Sequence, residues 1–211
     1  YPAEELDNNY TYSTNGMERY LSSSEEIHQA NVFTARGDEL LEAVSFYTFQ
    51  TNGNESLEYQ IDIYKDVEFN GDTPINGSPI TSVSGSVDFN GFHTVELGAK
   101  VDLSAGDTFS VVLRLYQPGG TPNAACEGRA DYMNSQSGES YISMNGDSWY
   151  KNQQVPLSGG EENMNNNCIN AYTVDKNSPD KTQLESLVEE NADNSALADV
   201  VEQAREVLAD S

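Results

Sequence analysis

The stretch "LEYQIDIYKD", Leu57 to Asp66, decides how the chain is read. Tyr59, Ile61 and Ile63 lie on one side of an extended backbone, and Gln60, Asp62 and Tyr64 on the other, because successive side chains of a strand point to opposite faces. The same alternation runs through "TFSVVLRLYQ", Thr108 to Gln117. There Phe109, Val111, Leu113 and Leu115 share one face, with Ser110, Arg114 and Tyr116 opposite. In "GFHTVEL", His93, Val95 and Leu97 line up in the same way. The runs "NVFTAR" (31–36), "LLEAVSFYTFQ" (40–50), "GESYISM" (138–144) and "NCINAYTV" (167–174) are further strand candidates.

Turn signals separate these runs. Asn-Gly occurs at 15–16, 52–53, 70–71, 76–77, 90–91 and 145–146, and this pair accepts the positive φ angles of a tight hairpin. About eight short strands spaced by such turns predict a mainly β fold, an antiparallel, jelly-roll-like β-sandwich. No long repeat is visible, which argues against a propeller or solenoid.

The pattern changes near Asn177. "SPDKTQLESLVEEN" opens with Ser178 as a cap and Pro179 at the first helical position, and it carries Leu184, Leu187 and Val188 at helical spacing. "NSALADVVEQAREVLADS" comes next, with Leu197, Val200, Val201, Ala204 and Leu208 as one apolar stripe. The expected organisation is a sandwich over residues 1–177 and a C-terminal α-helical hairpin over 178–211.

Charge narrows the function. Ten Lys and Arg against thirty-five Asp and Glu give −25 at neutral pH. A nucleic-acid partner needs a basic footprint, and so does an anionic membrane surface; neither is expected. The charge suits an extracellular setting, a cation-binding surface or high solubility. No run is long and apolar enough to span a bilayer. The opening "YPAEELDNNYTYSTNG" carries no signal-peptide pattern and reads as the interior of a longer protein.

Catalytic motifs are missing from the sequence. There is no GxSxG, HExxH, Walker loop or dinucleotide-binding glycine fingerprint. His93 reads as a packed strand histidine, and His28, beside two glutamates in "SSEEIHQANVF", as a surface one. Cys126 and Cys168 form no CxxC; they are either a disulfide between the "NAACEGR" loop and the last strand, if the protein is exported, or two separate thiols. Two binding chemistries remain. Asp66, Glu68 and Asp72 around an Asn-Gly turn, and Asp102 with Asp107, offer oxygen ligands for a structural calcium ion. Asp62, Tyr64, Arg114 and Tyr116 would form a carbohydrate-binding face if their strands share a sheet. Tyr132, Trp149 and Tyr150 form a second aromatic cluster. For Trp149 the strand, turn and return strand in "GESYISMNGDSWYKN" predict a peg folded across a hairpin onto Tyr141 or Ser143. Tyr150, on the opposite face, is then the better ligand contact.

The ordered set "HQANVFTARGDELLEAVSFYTFQ", "YQIDIYKD", "GFHTVEL", "LSAGDTFSVVL", "GESYISMNGDSWYKN" and "NCINAYT" resembles the lectin-like domain that comes after the papain-like catalytic domain in surface cysteine peptidases of Gram-positive bacteria. The resemblance covers residues 7 to 174, and residues 1–16 resemble the junction from the upstream domain. It implies a non-catalytic accessory module, extracellular or wall-associated, with the peptidase domain upstream in the same chain. The module would bind a glycan, or a cell-wall or host surface; alternatively it is a spacer that positions the peptidase domain, or an adhesin module for host protein. The tail "DKTQLESLVEEN…ADVVEQAREVL" resembles the start of a FIVAR-type helical spacer.

Overall fold

The structure, a computed structural model, describes residues 6–13, 16–50, 56–127, 136–157, 163–176, 181–192, 194 and 197–209. The chain divides into two compact units, Tyr1–Lys176 and Asn177–Ser211. The first unit is an antiparallel β-sandwich. Its strands are β1 (Asn8–Tyr10), β2 (Arg19–Ser22), β3 (Glu26–Thr34), β4 (Glu39–Thr48), β5 (Leu57–Lys65), β6 (Thr81–Val87), β7 (Gly91–Leu103), β8 (Thr108–Tyr116), β9 (Asn123–Cys126), β10 (Ser140–Ser143), β11 (Tyr150–Lys151) and β12 (Ile169–Asp175).

One sheet has the order β1-β12-β4-β7, the other β11-β10-β3-β8-β5-β6, and β2 with β9 forms a small ribbon. The two large sheets face each other across one apolar core. Phe33, Ile61, Ile63, Phe109, Val111, Leu113 and Leu115 come from the six-stranded sheet, and Leu41, Val44, Phe46, Val101, Leu103 and Ile169 from the four-stranded one. All of them are buried. Each such aliphatic or aromatic side chain contributes roughly 1.5–3 kcal/mol by leaving water. The alternation read in β5 and β8 is therefore the inward half of this core.

The strands that the sequence pattern passes over carry few large apolar residues. β6 is "TSVSGSV", whose apolar residues are Val83 and Val87. Its Gly85 is required by packing: a Cβ there would lie 2.6 Å from the Tyr59 hydroxyl. β2 and β9 are four residues each, and β1 and β11 shorter still.

A polar network crosses the core where β10 meets β3. Asn31 Nδ2 donates to the carbonyls of Asn167 (3.2 Å) and Ile169 (3.0 Å), and Ser140 Oγ donates to Asn31 Oδ1 at 2.7 Å. Asn167 Nδ2 donates to the carbonyls of Ala30 and Tyr141 at 3.0 and 2.9 Å. Buried polar groups without partners cost about 1–3 kcal/mol each, so these side chains hold β3, β10 and the approach to β12 in one arrangement.

His93 sits as its alternation predicts, 8% exposed. Its Nε2 meets Thr48 Oγ1 at 2.8 Å and the Phe89 carbonyl at 3.1 Å. Burial lowers its pKa from the ordinary 6.5, against a smaller upward pull from Phe89.

Trp149 is a packed residue. It lies against the cluster of Ala30, Val32, Tyr64, Val67, Val112 and Tyr141, its ring is edge-on to His28 at 6.2 Å, and its Nε1 donates to the Gly146 carbonyl at 3.0 Å. Gly146 has φ +76°, and a Cβ there would sit 2.9 Å from His28 Cε1. The Asn-Gly turn is thus demanded both by backbone angle and by the close imidazole.

The second unit contains helices α1 (Lys181–Glu190) and α2 (Ala198–Ala209). Val188 and Val201 are buried, whereas Leu187, Leu197 and Val200 are exposed. The apolar stripe expected to include Leu197, Val200 and Val201 is therefore split, with Val201 covered and Val200 61% exposed. Among the described residues no helix is long and apolar enough to cross a membrane.

Two outcomes are expected. Trp149→Ala lowers stability in a urea titration by about 2 kcal/mol, part of the loss seen for a fully buried aromatic, while Tyr150→Ala changes it by less than about 0.5 kcal/mol. The depressed His93 pKa means that the unfolded chain takes up its proton first, so the stability from neutral His93 is intact above about pH 6.5 and falls as the pH drops below it. The stability difference between wild type and His93→Gln, from denaturant titrations at pH 7.5 and 5.0, narrows at the lower pH.

Candidate functional site

The outer face of the six-stranded sheet has two halves. The ladder registers fix which residues adjoin. Arg114 of β8 stands between His28 of β3 and Gln60 of β5, with Ser84 of β6 beyond Gln60. In the next row Tyr116 stands between Glu26 and Glu58, with Ser86 beyond. On the other side of the Arg114 row, Val112 stands between Ala30 and Asp62, with Ser82 beyond. Asp62, Tyr64, Arg114 and Tyr116 therefore do share one face of one sheet.

The far half of this face is closed by the segment between β5 and β6. Val67 and Ile75 pack onto Ala30, Val32, Tyr64, Val112 and Tyr141. The Tyr141 hydroxyl donates to the Gly71 carbonyl (2.9 Å), and Ser110 Oγ to the Pro74 carbonyl (2.5 Å). Tyr64 is covered by this segment and is 8% exposed. It is a packing residue, because the connecting segment folds over it, and the sequence pattern alone placed it with the ligand contacts.

The near half stays open as a groove of about 450 Å³, within the roughly 300–1,000 Å³ usual for small-ligand sites. Its lining is Glu58, Tyr59, Gln60, Ser84, Gly85, Ser86, Arg114 and Tyr116. Arg114 donates from Nε and Nη2 to Glu26 Oε2 at 2.8 and 2.5 Å, and its guanidinium lies 5.0 Å from the Tyr116 ring centroid. His28 Nε2 lies 3.1 Å from Glu26 Oε1. Burial pushes the Glu26 carboxyl up, but the bonds to His28 and Arg114 together with their charges outweigh it and hold its pKa below the ordinary value. Asp62 accepts from Gln60 Nε2 at 3.0 and 2.9 Å and from Ser82 Oγ at 2.5 Å. Glu58, Ser84 and Ser86 have no side-chain partner among the described residues, so their oxygens are open to a ligand.

Of the residues expected from the sequence on this face, Arg114 and Tyr116 line the groove and Asp62 lies beside it; Glu58, Gln60 and the serines of the lining were not among the expected residues. Glu58 and Gln60 lie on the same alternation as Asp62. The period-two serines of "TSVSGSV" were the available signal, masked by the strand's low apolar content.

The remaining candidates lie elsewhere. Tyr150 is 55% exposed on β11, at the sheet edge away from the groove. It stands opposite Ile142, a core residue, so its side chain leaves the other face of the sheet. Three strand spacings, about 14 Å, separate β11 from β8. Tyr132 lies outside the described residues. Asp66, Glu68 and Asp72 are not gathered: among the described residues no group of three or more His, Cys, Asp or Glu comes together to hold a metal ion. The Asp66 carbonyl accepts from Asn76 Nδ2 at 2.9 Å. Lysines accompany the other two aspartates: Lys65 lies 2.9 Å from Asp107 and Lys176 2.6 Å from Asp102.

Cys126 and Cys168, the candidate disulfide pair, stand as two buried free thiols. Cys126 pairs across its bridge with Asn167, not Cys168, and its side chain enters the core. Ser13 Oγ lies 3.5 Å from Cys168 Sγ. Burial above all pushes the two thiols up to about 12 and about 11, so both are protonated at neutral pH and poor nucleophiles.

The fold is an antiparallel β-sandwich with an open polar groove on one outer face. Residues 10–173 match the family described as "Lectin like domain", and the chain belongs to that family. No curated protein sequence matches it. Among solved structures it is similar to the clostridial cysteine protease Cwp84 after propeptide cleavage, with 21% identity over 80% of this chain and a TM-score of 0.59. It is also similar to a structure of the cysteine protease and lectin-like domains of Cwp84, a surface layer associated protein of Clostridium difficile, with 20% identity over 74% of this chain and a TM-score of 0.52. The chain spans 40% and 36% of those two chains. At this identity the likeness establishes the fold. The matched family is a lectin-like domain, not a catalytic protease domain.

Thiol titration checks the cysteine assignment. With Ellman's reagent the native chain is expected to react little within minutes at pH 8, and two thiols per chain should appear in denaturant. Zero thiols in denaturant would mean a disulfide.

Proposed function

We propose that this chain is a non-catalytic carbohydrate-binding module of an extracellular, cell-surface cysteine peptidase of the papain-like type, with its ligand held on the outer face of the six-stranded sheet. The observation that carries the reading is the groove around Arg114 and Tyr116. Hydroxyl-rich ligands need charge-assisted acceptors and donors together with an aromatic surface for the apolar sugar face. Glu58, Ser84 and Ser86 supply unengaged oxygens, Tyr116 supplies the ring, and Arg114 supplies the N–H groups that Glu26 leaves free. The acidic chain and the family support a wall or host glycan rather than a nucleic acid or an anionic membrane. Residues 178–211 are proposed as a helical spacer of the FIVAR type.

Binding to an immobilised panel of wall and host glycans tests this reading. Wild type is expected to bind at least one glycan, Tyr116→Ala and Arg114→Ala to bind it at least tenfold more weakly with unchanged circular dichroism, and Tyr150→Ala to bind it as wild type does. Absence of any glycan binding by wild type would sink the reading and favour a spacer that positions the peptidase domain.

A further inference from the structure

We propose that the groove selects uncharged sugars and rejects acidic ones, because its cation is already occupied by a carboxylate of the same sheet; the inference rests on the glycan-binding reading above. Among the residues that line the groove, Arg114 is the one cation. An arginine on a sugar-binding face would ordinarily invite a uronate, a sialic acid carboxylate or a sulfate, through the fork geometry of its N–H groups. Here two of those donors point at Glu26 Oε2. The guanidinium carbon also lies 5.0 Å from the Tyr116 ring centroid.

The surrounding charge adds to the effect. Arg114 is paired with Glu26, Glu58 lines the same groove, and Asp62 stands on the same outer face, opposite Val112 in the adjoining row. The Glu26 charge is anchored by His28 as well as by Arg114. Asp62 is held in place by Gln60 and Ser82. Glu58 has no cationic partner among the described residues and presents a bare carboxylate to the groove. An acidic sugar must therefore share Arg114 with the Glu26 carboxylate, which already takes its Nε and Nη2 donors, and come close to Glu58 while doing so. The chain's −25 net charge opposes its approach further, screened beyond about 8 Å at physiological salt. An uncharged sugar meets none of this: its hydroxyls donate to Glu58 and exchange bonds with Ser84 and Ser86.

The experiment compares matched pairs of immobilised glycans, each neutral oligosaccharide beside the same core bearing sialic acid or a uronate. Wild type, Glu26→Gln, Glu58→Gln and Arg114→Ala are measured at physiological salt. Wild type is expected to prefer the neutral member by at least tenfold. Glu26→Gln frees the guanidinium and should cut that preference at least threefold by gaining affinity for the acidic member. Glu58→Gln, which keeps the ion pair, should reduce the preference through lost repulsion alone. Equal or tighter binding of acidic members by wild type, lost in Arg114→Ala, would overturn the inference while leaving the glycan reading intact. A preference unmoved in both Glu variants overturns it too. No binding of any glycan by any form overturns the reading on which it rests.

Discussion

Strand β8 has no free edge, and the rest of the sandwich depends on that. From Thr108 to Tyr116 it is paired with β3 on one side and, from Phe109 onward, with β5 on the other. Its register fixes two surfaces at once. Phe109, Val111, Leu113 and Leu115 go into the core, and Ser110, Val112, Arg114 and Tyr116 go outward. A slip of one residue against either neighbour would bury Arg114 and expose four core side chains. Two full ladders and a continuous apolar row make that slip too costly to populate, so the groove's arginine and tyrosine are held by the same forces that hold the core.

The surface outward of β8 is divided by a second constraint. The segment after β5 folds back over the sheet and satisfies Tyr141 and Ser110 with its own carbonyls. It turns half of the outer face into a small second core, which takes in Trp149 from the β10–β11 hairpin. The other half receives no such cover. There the face is polar, and its largest charged group is neutralised within the sheet by Glu26. A second packed cluster and an open polar groove thus occupy adjacent halves of one surface. Because the groove residues sit on central strands and not on loops, their spacing is set by ladder geometry.

The relation to the cysteine protease Cwp84 fits this division. Similarity at 21% identity preserves the sandwich, whose inward alternation tolerates exchange among apolar residues of similar volume. The outer face is free of that restriction, and a shared fold carries no ligand with it. Any ligand preference of this chain therefore lies in its own Glu26, Glu58, Arg114 and Tyr116, not in likeness to a neighbour.

Much of the architecture was legible from one sequence. Period-two alternation in β5, β7 and β8, and Asn-Gly turns such as 145–146, determine a mainly β sandwich, because side chains alternate locally and each needs only its own strand to define its face. The buried placement of His93 comes from the same rule. The face shared by Asp62, Arg114 and Tyr116 was legible only conditionally, since alternation says which way a residue points but not which strands are neighbours. Only the tertiary structure decided that β5 pairs with β8, and that Tyr64 is roofed over by the segment carrying Val67 and Ile75. It alone decided that Glu26, 88 residues before Arg114, occupies that arginine. Those outcomes arise from contacts outside each strand's own pattern, where pairing energy and covering loops choose the partner.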